Sequence, residues 1–316
     1  MHHSISIVCT IIIKLFYLQY LITHNQWLCN AKNSKSTISS RNCNNNNIIF
    51  PTVEEAIELN RLSNIVYSTS RKSTCDDIVT SDALADDVTC HFNIWTRIGT
   101  EAMIVSSPSL SSSNNSTNNN DDDDGYIAVA FAGTDEKRDI YIDAHVELVP
   151  FGTNNTNYHT NDTSILVHSG FNHALFYDDL PIKLLNHVTH LRKKYPTYKL
   201  YVTGHSLGAA LSQLFSLYLS EYLPQDIIIN NLNYGCPKVG NKEWAHVMNR
   251  RKQISSWRYV HNKDIVPRLM VSPKFYHAGH NFQFDKDFAR VFYYHYGDDE
   301  LGYSGVPDDW YSEFSF

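Results

Sequence analysis

Charge is scarce in this chain of 316 residues: Asp, Glu, Lys and Arg make up only 19%, and they leave a net charge of −7. With no basic face to offer, the chain has nothing to set against a phosphate backbone, and nucleic acid is excluded as a partner. Cysteine is sparse as well, six in all, and no Cys, His or Asp spacing has the pattern of a metal site. Neither metal nor other cofactor is expected. No internal repeat is visible. What the sequence has in plenty is apolar side chain, 42%, enough to bury a full core in one domain of this length.

The first 31 residues hold two apolar runs, Ile5 to Ile13 and Leu15 to Ile22, broken by Lys14 and followed by polar Thr23 to Gln26. They read as a signal peptide ending near Ala31, the alternative being an anchor that stays in place. Residues 32–49 are Asn- and Ser-rich, cannot repay the entropy of ordering, and read as a leader. The folded domain is expected over 50–316. Within it, 106–124 is a Ser- and Asn-rich stretch closing on Asp121 to Asp124, placed as a surface insertion between strands. Sequons at Asn114, Asn115, Asn154 and Asn161 favour passage through an oxidising compartment. Signal cleavage would leave Cys43, Cys75, Cys90 and Cys236. A Cys75–Cys90 bridge is expected to close a short loop ahead of the sheet, and Cys236, after a buried strand, reads as a small apolar residue.

From Tyr126 onward, β-branched and aromatic runs alternate with amphipathic stretches, the pattern of strand, crossover helix and parallel strand. Strands are expected at Tyr126 to Phe131, Lys199 to Thr203, Ile227 to Tyr234, Trp257 to His261 and Tyr276 to Phe284. Helices should follow Gly170, Ser206 and Asn241. The one after Ser206 is clearest: Leu211, Leu214, Phe215, Tyr218, Leu219 and Tyr222 recur at three and four residues until Pro224.

Gly204-His205-Ser206-Leu207-Gly208 lies between an apolar strand and that helix, the context of a nucleophile elbow. A serine held at such a tip has a strained backbone and points outward, and side chains two residues to either side would collide with neighbouring strands, hence Gly204 and Gly208. The amide of Leu207, opening the helix, is aimed where an oxyanion would form. His205 should turn away from Ser206 and serve packing and hydrogen bonding. Thr134, ending an apolar strand after Gly133, can present a backbone donor to a cleft.

The segment Gly204 to Ala210 resembles the elbow of the fungal-type, class 3 triacylglycerol lipase family. Four more segments extend the likeness: Phe131-Ala132-Gly133-Thr134, Val167-His168-Ser169-Gly170-Phe171, Tyr234 to Asn241, and Asp264-Ile265-Val266-Pro267. Together they cover roughly Phe50 to the C-terminus. The resemblance implies an α/β-hydrolase, a mostly parallel central sheet flanked by helices with a lid segment over the site, acting as a serine ester hydrolase. It makes Thr134 an oxyanion donor opposite Leu207. The chain departs from the family in having Ala132 where Arg is usual and Ile140 where Trp is usual, positions that concern the lid.

A serine needs a histidine to take its proton and a carboxylate to orient that histidine, and in this fold they follow in the order Ser, Asp, His. Asp264, on a loop just after a strand, is the expected acid. His277, His280 and His295 lie downstream; His295 is chosen because it lies in the terminal segment, as the family's base does, whereas the other two fall in an alternating run. The lid is expected at Asp135 to Val149, with Ile140, Tyr141, Val146 and Leu148 as an apolar face beside charged Asp135 to Asp139. Acylglycerol or related lipid esters are the expected substrates. A soluble esterase and a non-catalytic binding protein are the alternatives.

Overall fold

The computed structural model describes residues 50–68, 74–80, 84–110, 125–133, 147–152, 164–268, 274–286 and 291–294. Outside them lie the expected signal segment and leader, the sequons Asn114, Asn115, Asn154 and Asn161, Thr134, the lid residues Ile140, Tyr141 and Val146, and His295.

Eight strands form one sheet: β1 (Thr89–Trp95), β2 (Glu101–Ser107), β3 (Tyr126–Phe131), β6 (Lys199–His205), β7 (Ile229–Tyr234), β8 (Ile254–His261), β9 (His280–Phe284) and β10 (Val291–Tyr294), adjacent in that order. Pairing is parallel from β3 through β9 and antiparallel at both margins. Short β4 (Leu148–Pro150) and β5 (Leu166–His168) make a separate antiparallel pair. The helices are α1 (Val53–Ser68), α2 (Cys75–Thr80), α3 (Ser169–Phe176), α4 (Leu180–Lys194), α5 (Leu207–Tyr222) and α6 (Lys242–Arg250). This is the α/β-hydrolase architecture, with helices on both faces of the sheet.

The two-residue period of the strands sorts their side chains into two cores. Ile127, Val129, Phe131, Leu200 and Val202 face α3 to α6. Tyr126, Ala128, Ala130, Tyr201, Leu232 and Trp257 face α1, which answers with Val53, Ala56, Leu59, Leu62 and Val66 at helical spacing. β3 is therefore apolar throughout, as a strand covered on both faces tends to be, whereas β7 buries Asn231 and Asn233.

α1 starts at a capping box: the Thr52 amide donates to Glu55 at 2.8 Å and the Glu55 amide to the Thr52 hydroxyl at 3.2 Å. Three tyrosines rising from the sheet then fasten it. Tyr201 donates to Glu55, Tyr126 to Glu58 at 2.6 Å, and Tyr234 to the Ala56 carbonyl. Glu55 also meets Lys199 at 3.0 Å. Glu55→Ala removes the carboxylate half of the capping box and takes this acceptor from the buried Tyr201 hydroxyl, a loss of about 2 to 3 kcal/mol. Thermal unfolding should shift down by roughly 5 to 10 °C; an unshifted melting curve would mean that α1 is held by its apolar face alone.

Four expectations change in detail. Cys75 and Cys90 are bridged, Cα to Cα 5.3 Å, but Cys90 lies within β1, so the bridge ties α2 to the sheet margin instead of closing a loop ahead of it. The run from Tyr276 is strand only from His280. Tyr276 bridges to Gly240 instead, while the Ala278 carbonyl and Gly279 amide are taken by Gln213 and Asn249. Leu148 belongs to β4, paired with His168, so the expected lid ends before Glu147. The biased stretch 106–124 begins inside β2, and Ser107 pairs with Tyr126; the insertion is the connection of a β2–β3 hairpin.

Candidate active site

β6 runs straight into α5 through Ser206, whose backbone has φ 56° and ψ −120°. A non-glycine residue pays for such a conformation, and it persists only where its surroundings enforce it. They do so by close backbone packing. A Cβ on Gly204 would lie 2.3 Å from the Gly208 carbonyl oxygen, and one on Gly208 would lie 2.2 Å from that of Phe131. The first turn of α5 is thereby pressed against the end of β3, where Thr134 follows. The Ser206 amide donates to the Tyr234 carbonyl at 3.0 Å, tying the elbow to β7. Ser206 makes no side-chain capping bond to its helix. The Leu207 amide lies in the first turn, which has no intrahelical acceptor to offer it.

The strands bring further groups to the same edge. His205, Tyr234, Tyr259 and Phe282 stand in one register row across β6 to β9, so Ser206, Gly235 and the loop holding Asp264 all lie just past it, at the carboxyl ends of the parallel strands. In that loop Asp264 Oδ1 accepts from the Val266 amide at 3.0 Å. Its other oxygen approaches Gly235, which has φ 58°; a Cβ there would be 2.7 Å from Asp264 Oδ2 and 3.4 Å from His205 Nε2. Glycine is thus required twice over, for its backbone angle and for the room it leaves the carboxylate. Gly235 was visible only as part of a motif, and nothing in its spacing gave it this role.

His205 is directed towards α1, its Nδ1 3.0 Å from the Tyr67 hydroxyl. His277 is bonded through Nε2 to the Pro267 carbonyl at 3.0 Å; because a carbonyl only accepts, Nε2 carries the proton. Burial, with Arg258 and Lys238 nearby, drives its pKa well below the ordinary histidine value. His280 stacks on Trp257 at 4.4 Å between ring centroids, two residues short of the His205 row and three strand spacings, about 14 Å, from β6. β10 is antiparallel to β9 and pairs Tyr293 with Phe282 and Tyr294 with Asn281. It therefore runs away from the elbow edge as it approaches His295, and a base there requires the chain after Tyr294 to cross back towards β6. Cys236 is no rival nucleophile: burial pushes its thiol up to about 12.

Comparison with known proteins gives a match of residues 128–274 to the family model described as Lipase (class 3). The stretch that carries Ser206 and Asp264 is thus similar to the class 3 lipases. The matched stretch is narrower than Phe50 to the C-terminus, and it contains Ser206 and Asp264 but not His295. Among curated relatives, the secreted mono- and diacylglycerol lipase 1 of Fusarium solani is 34% identical over 104 residues, 33% of this chain and 29% of that protein. The lipase of Rhizomucor miehei is 35% identical over 120 residues, 37% of this chain and 32% of that one. The chain thus matches under a third of the length of either relative. Among solved structures, lipase II from Rhizopus niveus superposes with a TM-score of 0.58 at 21% identity, covering 75% of this chain and 82% of the other. The triacylglycerol lipase from Penicillium expansum gives 0.57 at 20% with the same coverages. At these identities the superpositions attest the fold.

Proposed function

We propose that the chain is a serine ester hydrolase of lipase type, acting on acylglycerols or related lipid esters with Ser206 as nucleophile, Asp264 as the orienting acid and His295 as base. The observation that carries the reading is the strained backbone of Ser206, enforced by glycine-tight packing between β6, α5 and β3. The base takes the Ser206 hydroxyl proton as Oγ attacks the ester carbonyl carbon. The resulting oxyanion is held by the amides of Leu207 and Thr134, and the imidazolium then protonates the departing alcohol. Water, activated by the same base, attacks the acyl-enzyme and releases the fatty acid. Relatives named as mono- and diacylglycerol lipases support the substrate class. Relatives named as secreted, the bridge between Cys75 and Cys90, and the apolar N-terminal run support secretion.

The apolar residues Ile140, Tyr141 and Val146 support a lid that opens at a lipid surface, whereas charged Asp135 to Asp139 suit a soluble esterase. Chain-length profiling decides between them. For the lipase reading, rate on a medium-chain glyceride should jump as substrate passes its solubility limit, with long acyl chains preferred. Smooth saturation through that limit with a preference for short esters would make it an esterase.

A further inference from the structure

Tyr67, in the last turn of α1, belongs to no motif, yet its hydroxyl reaches the elbow across 138 positions of sequence. It donates to the His205 carbonyl at 3.0 Å and lies 3.0 Å from His205 Nδ1. The hydroxyl has one proton, and the carbonyl can only accept it, so in this arrangement Nδ1 of His205 is the donor to Tyr67. The third neighbour is Gly133: a Cβ there would fall 1.9 Å from the Tyr67 hydroxyl and 2.8 Å from the His205 carbonyl oxygen. One phenol oxygen therefore touches the residue before Ser206 and the residue before Thr134.

We propose that Tyr67 is a positioning residue for ester hydrolysis, clamping the His205–Ser206 peptide and holding it against the chain that leaves β3 at Gly133. The proposal rests on the reading of Ser206 as nucleophile. That peptide plane is gripped at both ends, its N–H by the Tyr234 carbonyl at 3.0 Å and its C=O by Tyr67. The plane determines φ of Ser206, so the clamp opposes relaxation of the strained angle of 56°. Gly133 is stopped against the same hydroxyl, which fixes how near the chain leaving β3 comes to the elbow. The grip is firm because α1 is itself fastened to the sheet through Tyr126, Tyr201 and Tyr234. Oxyanion donors stabilise a transition state only if they are placed beforehand, and displacement of such groups lowers turnover more than substrate binding.

Tyr67→Phe keeps the ring and deletes the clamp. On a soluble p-nitrophenyl butyrate assay its kcat should fall about 10- to 100-fold with KM within about twofold, and inactivation by a fluorophosphonate should slow by a similar factor. Replacement of Tyr67 by 3,5-difluorotyrosine preserves the shape but lets the hydroxyl ionise nearer neutrality. It should add a falling limb of kcat on the alkaline side, and this variant serves if Tyr67→Phe does not fold. A Tyr67→Phe protein that melts lower yet keeps wild-type kcat would overturn the proposal, as would a difluorotyrosine variant with the wild-type pH profile. Wild-type protein that neither hydrolyses the ester nor takes the label would sink the nucleophile reading and this proposal with it. Active wild type beside an equally active Tyr67→Phe sinks the positioning role alone.

Discussion

Replacing Ser206 by alanine is expected to cut ester turnover by about a thousandfold or more while leaving the fold intact. The side chain makes no capping bond to α5, so its loss costs the helix little, and alanine is no worse than serine at the strained angle. Fluorophosphonate labelling should vanish in the variant. His295→Ala should reproduce most of the loss, and the double variant should be scarcely worse, because members of one catalytic unit are not additive. Activity of Ser206→Ala within tenfold of wild type would refute the assignment. If His295→Ala stays active, the base lies elsewhere. His277, bonded to Pro267, and His280, stacked on Trp257, can be tested in the same series.

Gly208→Ala should be, with Gly204→Ala, among the most damaging single methyl groups that can be added near the site. The new Cβ would meet the carbonyl oxygen of Phe131 at 2.2 Å, its carbonyl carbon at 2.8 Å and that of Ala132 at 2.9 Å. All three are backbone atoms of the central sheet and its exit, so no rotamer change relieves the contact. Either α5 lifts from β3, moving the Leu207 amide away from the end of that strand, or the chain fails to fold. Overpacking of this kind costs about 1 to 3 kcal/mol or more, and activity should fall with the displaced elbow even in whatever protein remains soluble. Gly170→Ala is the natural comparison, since its Cβ would meet only the His168 ring, at 3.1 Å or more. Wild-type melting and turnover in Gly208→Ala would show that the elbow tolerates a looser fit than its geometry implies.

What could be read beforehand was local. Tyr126 to Phe131 is strand in full, and α5 begins directly after Ser206 and ends two residues before Pro224, because each carries its own periodicity and punctuation. Asp264 was placed at a strand end by the same logic. Contributions from distant sequence were hidden. Tyr67 acts through a helix whose apolar spacing resembles that of any amphipathic helix, and Gly235 matters only because Asp264 approaches it. The margins misled for a physical reason as well. His277 to Gly279 alternate like strand residues, but their backbone groups are drawn to Gln213 and Asn249 under α5 and α6, and pairing with β8 begins only at His280.

The β2–β3 hairpin has a practical side. Ser107 and Tyr126, which its connection joins, pair at the end of the sheet opposite Phe131 and the elbow, a strand length of roughly 20 Å away. An affinity handle or a surface tether inserted between them would hold the molecule by its back. Immobilised that way, on resin or on a sensor chip, it would present the Ser206 edge to the emulsion and not to the support.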